Sequence, residues 1–242
     1  MRIAMWSGPR NLSTAMMYAF ASRQDCVVMD EPFYAAYLKA SGEVHPMQEA
    51  ILASQPTDPE EVVQACLSPL PEGKKLSYQK HMSHHVLPRF SIEFTDKLTN
   101  VFLIRHPARV IASYHKKRAQ PSLQDVGVEQ QVAIFNRQHQ RSGRVPVVID
   151  SDDLLTDPAL GLEVLCDAIG IPFDSAMLSW QPGGNPADGV WAEHWYNAVW
   201  QSNGLTKTQR KPIPQLPASL QSVLAQSLPY YELLAKHKLT VG

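Results

Sequence analysis

Arg2-Ile-Ala-Met-Trp-Ser-Gly-Pro-Arg-Asn-Leu-Ser-Thr-Ala-Met-Met-Tyr18 reads as a buried strand, a tight turn and a helix. Ile3 to Trp6 is a short apolar run suited to a covered parallel strand. Ser7-Gly8-Pro9 breaks it, Asn11 is suited to cap a helix, and Thr14 to Ala21 is apolar and helix-compatible. A strand that feeds a helix through such a turn leaves backbone N–H groups free at the helix start. Those donors and the helix dipole favour an anion there. Arg10 adds a cation, and Ser13 and Thr14 add hydroxyls. The nucleotide pattern G-x-x-x-x-G-K-[ST] is not met, because Ser13 and Thr14 stand where Gly-Lys belongs. On this stretch alone, an anion site and an ordinary strand-to-helix turn of an α/β fold read equally well.

A second stretch, Asn100-Val-Phe-Leu-Ile-Arg-His-Pro-Ala-Arg-Val-Ile-Ala-Ser-Tyr-His115, repeats the design. Val101 to Ile104 is the strand, and Pro107 suits a first helical turn because its missing N–H goes unused there. Arg105 lies at the strand's C-terminal end, and Ser113 about two turns into the helix. Ligands of open α/β sheets bind outside those strand ends.

Together the two stretches resemble the sulfotransferase superfamily, which uses 3′-phosphoadenosine 5′-phosphosulfate (PAPS). In that family a [KR]-x-G-[ST]-[ST] loop grips the 5′-phosphosulfate, and an Arg followed eight positions on by Ser grips the 3′-phosphate. Arg10-Asn11-Leu12-Ser13-Thr14 matches the first, with Leu12 in the place of Gly. Arg105 and Ser113 match the second. The resemblance implies a three-layer α/β domain of P-loop type, with a mostly parallel sheet flanked by helices. It also implies PAPS as co-substrate, no required metal, and a hydroxyl or amine of a small molecule as acceptor. Arg10, Asn11, Ser13, Thr14, Arg105 and Ser113 are the expected nucleotide contacts.

The chain's 242 residues make one domain, 1–242, the default, and a 44% hydrophobic fraction is ample for a core. A net charge of -1 gives no field that recruits nucleic acid or acidic membrane. Three widely spaced cysteines form neither a disulfide framework nor a zinc pattern, which suggests reduced thiols and a cytoplasmic setting. No leader pattern opens the sequence and no run reaches the ~20 apolar residues of a membrane helix.

Cys26 to Asp30 reads as a second strand ending in Asp30-Glu31-Pro32, with a helix begun by Pro32. Those two acids are an ordinary polar strand exit or the edge of an acceptor pocket. Residues 40–72, broken by Pro46, Pro56, Pro59, Pro69 and Pro71, hold short helices that could wall a site. Lys74 to Gln79 is a third strand leading into Lys80-His81-Met82-Ser83-His84-His85. The family often carries its base in Lys-x-His at this exit. The resemblance therefore implies His81 as base and Lys80 as the cation near the transferring group, with Glu31 next in line as base. The alternatives are a set of solvated histidines and a metal site on His81, His84 and His85, the latter disfavoured because no Cys or acid stands at ligand spacing.

Lys116-Lys117-Arg118 is an ordinary basic helix end. Val126 to Ser142 reads as a long helix with Val128, Val132 and Phe135 on its inner face. Val145 to Asp150 is another strand, followed by acids suited to capping. From Trp180 to Pro217 four of the five tryptophans gather in an irregular segment, either walling a pocket or sealing the core. Gln201-Ser202-Asn203-Gly204-Leu205 resembles the family's late Ser-Thr-Gly-Phe segment near the nucleotide, which implies Ser202 as a contact. Lys207, Arg210 and Lys211 follow, either as a further cation for the 3′-phosphate, Lys207 foremost, or as an ordinary solvated basic loop. The rival readings are a P-loop kinase or NTP hydrolase, which needs magnesium and a phosphate-holding lysine, and a non-catalytic nucleotide-binding protein on the same fold.

Overall fold

The computed structural model describes residues 1–116 and 120–242. Among them, five strands form one all-parallel sheet: β1 (Arg2–Ser7), β2 (Cys26–Asp30), β3 (Leu76–Met82), β4 (Thr99–Ile104) and β5 (Val147–Asp150). The order across the sheet is β2-β3-β1-β4-β5, which puts the first strand at the centre. The helices are α1 (Ser13–Ala21), α2 (Tyr34–Ser41), α3 (Gln48–Ser54), α4 (Pro59–Leu67), α5 (Pro107–Tyr114), α6 (Leu123–Val126) and α7 (Val128–Ser142). They continue with α8 (Ser151–Leu154), α9 (Pro158–Ile169), α10 (Ala192–Trp195), α11 (Asn197–Trp200) and α12 (Ala218–Ala235).

The sheet is the middle of three layers. Phe20 of α1 stacks on Tyr78 of β3 at 4.3 Å between ring centroids. Phe135 of α7 meets Phe102 of β4, and α12 packs on α7. Strands covered this way are apolar where the layers meet, as Ile3–Trp6 of β1 and Val101–Ile104 of β4 are. Ile3, Met5, Trp6 and Phe102 have no exposed surface. A smaller apolar cluster joins Val110, Ile111, Val126, Val128, Leu220 and Val223 under α5 and α12. Val132 and Phe135 belong to the main core as expected, whereas Val128 belongs to this second cluster, because Gly127 breaks the expected helix into α6 and α7. Its positive φ of 74° suits glycine.

Two of the boundaries that differ from the sequence reading shape the site. Pro32 precedes its helix instead of starting it, because Glu31 takes a positive φ of 41° and its carbonyl accepts from Tyr34 N–H in a turn. Strand β3 runs on to Met82, so Lys80 and His81 lie within it. The expected basic end of α5 falls at residues 116–118, of which 117 and 118 lie outside the described residues. Among the described residues no helix is long and apolar enough to cross a membrane. Cys26, Cys66 and Cys166 are buried free thiols.

Candidate functional site

The chain leaves β1 toward β2 on one side of the sheet and leaves β4 toward β5 on the other. The loops after β1 and β4 diverge, and a crevice opens between them at the C-terminal ends of the strands. It belongs to a cavity of about 440 Å³. One part is lined by Arg10, Asn11, Ser13, Thr14, Arg105 and Ser113, and another by Glu31, Lys80, His84, His85, Tyr34 and Trp195.

The first part is built for an anion. Arg10 and Leu12 both take positive φ, 58° and 70°. The left-handed turn at Leu12 is the conformation that glycine adopts without strain, so the leucine here holds a glycine-like backbone at a cost of about 1–2 kcal/mol. Helix α1 starts with no side-chain cap, which leaves its first N–H groups to the cavity. The expected cap, Asn11, instead donates from Nδ2 to Leu103 O of β4 at 3.1 Å, tying the loop to the neighbouring strand. Its buried Oδ1 has no hydrogen-bond partner. Gly8 makes the turn possible, since a Cβ there would lie 2.3 Å from Val126 O.

The structure brings the two sequence stretches into contact. Arg10 Nε donates to Ser113 Oγ at 3.0 Å, and an Arg105 Nη donates to Arg10 O at 3.0 Å. Burial, and next the charge of Arg105, push the Arg10 guanidinium below its ordinary value. Two cations held this close favour a multiply charged anion between them. Arg105 is itself held by Asp152, which accepts from its Nε at 3.1 Å and faces Arg109 Nε at 2.9 Å through its other oxygen. Asp150, expected to be a cap, is one: its Oδ1 accepts from Asp152 N–H at 2.8 Å.

The second part centres on a buried ionic group. Lys80 Nζ lies 2.9 Å from Asp30 Oδ1 and 2.5 Å from Glu31 Oε1, and it also donates to the hydroxyl of Tyr196. Burial pulls Lys80 down, but the charges of Asp30 and Glu31 outweigh it and hold the lysine above its ordinary value. Burial raises Glu31; the charge of Lys80 opposes this and that of Asp30 reinforces it, leaving the carboxyl above its usual range. His85 is sandwiched between Tyr34 and Tyr37, with centroids 4.3 and 4.9 Å away, and burial holds it neutral.

His81, the expected base, does not reach this cavity. Alternate residues of a strand face opposite ways, so with Lys80 toward the cavity His81 turns to the other side of the sheet. There it stacks on Trp6 at 4.3 Å, and its Nε2 lies 3.1 Å from Gln79 Oε1. Lys207 is also displaced: it points out to Asp157 at 2.9 Å and is 69% exposed. Ser202 lines the cavity, but its hydroxyl donates to Val199 O at 2.7 Å and accepts from Trp180. The tryptophan-rich segment does both things expected of it. Trp191 is buried, and Trp180 and Trp195 line the cavity.

Burial lowers His81 from its ordinary 6.5 to about 3. Unfolding therefore takes up a proton below pH 6.5, and stability falls as pH falls toward 3, by up to about 1.4 kcal/mol per pH unit for this ring. His81→Phe keeps the stack on Trp6 without the titration. Its urea midpoint should fall less steeply than the wild type's between pH 6.5 and 4, with turnover retained. An unchanged slope would mean that His81 does not titrate this way. Some slope will remain, because His85 acts in the same direction.

A family model described as a sulfotransferase domain matches residues 1–238. Two Arabidopsis thaliana proteins, branched-chain-amino-acid aminotransferase-like proteins 1 and 2, are 38% and 37% identical over 235 residues, 97% of this chain. The chain spans only 42% and 41% of their lengths. Among solved structures, a sulfotransferase from Alicyclobacillus acidocaldarius superposes with a TM-score of 0.59 at 12% identity, covering 98% of this chain and 96% of that one. The sulfotransferase domain of the Synechococcus PCC 7002 olefin synthase gives 0.55 at 20% identity, covering 97% and 94%. That of the curacin biosynthetic pathway gives 0.53 at 16%, covering 93% and 96%. At these identities the structural matches establish the shared fold.

Proposed function

This chain belongs to the sulfotransferase domain family, and on that premise we propose that it moves a sulfuryl group from PAPS to a hydroxyl or amine of a small-molecule acceptor. The observation that carries the reading is the meeting of Arg10 with Ser113 and of Arg105 with the Arg10 carbonyl at the mouth of one cavity. The uncapped start of α1, with Arg10, Ser13 and Thr14, suits the 5′-phosphosulfate. Arg105 and Ser113 suit the 3′-phosphate. These residues fit PAPS chemically, since they offer cations and hydrogen-bond donors to two anionic groups.

PAPS supplies an activated sulfuryl group, so the protein's work is positioning and charge stabilisation. The N–H groups of the loop and the Arg10 guanidinium stabilise the charge that grows on the departing phosphate oxygen. Glu31 replaces His81 as the proposed proton acceptor. It lines the cavity at the end of β2, and its main chain is held by Lys80 O, Tyr34 N–H and the Gln55 amide. The kinase alternative asks for a lysine free to hold phosphates. Lys80 lines the cavity, yet two carboxylates already engage it.

Calorimetry with adenosine 3′,5′-bisphosphate, against ATP with and without magnesium, tests the reading. The expected result is tight binding of the bisphosphate that does not depend on magnesium. A preference for magnesium-ATP would overturn the assignment in favour of phosphoryl transfer.

A further inference from the structure

The ionic group under the cavity is asymmetric. Asp30 is saturated: Lys80 donates to Oδ1 at 2.9 Å, Gly189 N–H donates to Oδ2 at 3.1 Å, and the Tyr196 hydroxyl lies 2.8 Å from Oδ2. That hydroxyl accepts in turn from Trp191 Nε1 at 3.0 Å. Asp30 does not line the cavity, whereas Glu31 does. Glu31 is held through Oε1, by Lys80 at 2.5 Å and with the Tyr196 hydroxyl at 3.2 Å, while Oε2 has His85 Nδ1 at 3.8 Å, beyond hydrogen-bond reach. Of two adjacent buried carboxylates, one is locked and the other keeps an oxygen for a proton. Lys80 brings one positive charge to two negative ones, so the group retains one negative charge.

Resting on the reading of Glu31 as the proton acceptor, we propose that Lys80 and Asp30 are opposed positioning residues. Lys80 fixes the Glu31 carboxylate so that Oε2 meets the acceptor, and Asp30 takes up the lysine's charge so that Glu31 still accepts a proton. A lysine without Asp30 would bind Glu31 as a simple ion pair and make it a poor base. An Asp30 without the lysine would drive Glu31 to hold a proton in the resting protein. Both residues are placed by strand pairing, since Asp30 and Lys80 are register partners on β2 and β3. The titratable and charged groups that face Glu31 are Asp30 from β2, Lys80 from β3 and Tyr34 from α2. Among the described residues, Tyr196 from the tryptophan-rich segment and His85 from the turn after β3 face it as well. His85 is neutral, so the balance rests on Lys80 and Asp30.

The test is a carbon-13 NMR titration of protein labelled at the glutamate carboxyls, with Glu31 assigned by its loss in Glu31→Gln. Asp30→Asn should lower the Glu31 midpoint and Lys80→Met should raise it, each by about 1–3 pH units. Lys80→Met leaves two buried acids unpaired and is the variant at risk of not folding. The double variant Asp30→Asn with Lys80→Met removes both charges and should return the midpoint toward the wild type. A midpoint unmoved by Asp30→Asn, or moved the same way by both changes, would overturn the proposal, since residues that only pack the core give no opposed shifts. Calorimetry of the wild type with adenosine 3′,5′-bisphosphate is run beside it. Failure to bind there refutes the sulfuryl-transfer reading, while the titration still decides the roles of Lys80 and Asp30.

Discussion

Glu31→Gln is expected to lower kcat by about 10²–10⁴-fold, the range lost when a positioned general base is removed. The substitution keeps the side chain's volume and does not touch the main-chain bonds that hold residue 31. Lys80 retains Asp30 at 2.9 Å, so no buried cation is left alone. Turnover is measured as release of adenosine 3′,5′-bisphosphate from PAPS with an acceptor taken from a screen. Affinity for the bisphosphate, read by calorimetry, should hold, because the nucleotide contacts are assigned to the other part of the cavity. The pH profile carries a second signature. Burial, reinforced by Asp30, raises Glu31, so the acid limb of kcat should lie above the usual carboxylate range. That limb should vanish in the glutamine variant. A loss under tenfold, with the limb intact, would remove Glu31 from the reaction.

Arg105→Ala should weaken binding of adenosine 3′,5′-bisphosphate by roughly 10- to 150-fold, the equivalent of the ~1.5–3 kcal/mol of a hydrogen bond to a charged group. The variant should fold, because Asp152 keeps Arg109 at 2.9 Å when Arg105 is gone. Adenosine 5′-phosphosulfate, which lacks the 3′-phosphate, is the control. Its affinity should be the same for variant and wild type, since the contact removed is assigned to the missing group. Equal weakening of both ligands would mean that Arg105 acts on the loop as a whole, through its bond to the Arg10 carbonyl.

The part of the site built from local sequence was legible, and the part built from strand pairing was not. Arg10, Ser13 and Thr14 sit within one strand-turn-helix, and Arg105 and Ser113 within another. Hydrophobic runs and Gly or Pro breaks placed their strands and helices, the family resemblance pointed to the residues themselves, and the structure gathers them at one crevice. His81 went astray for a definable reason. Ending β3 at Gln79 leaves Lys80 and His81 in a turn, where either can face the site. Running the strand on to Met82 puts alternation in force and sends one in and the other out. The pairing of Lys80 with Asp30 joins residues 50 apart and depends on β2 lying beside β3, an order that no local pattern encodes. Tyr196 reaches the same group from 116 residues away. Leu12 shows the converse: its departure from the family's glycine was visible, but that the backbone keeps the glycine conformation was not.

The central place of β1 bears on how the chain is made. Trp6 finds Asn100 across 94 residues of sequence, and β1's other edge waits for β3 at Leu76. At about 5–20 residues per second of synthesis, this apolar strand leaves the ribosome several seconds before either neighbour exists. Its edges stay open for that time, so co-translational folding of the anion loop must wait for β4, and a nascent chain stalled before Thr99 carries an uncovered sheet-forming segment.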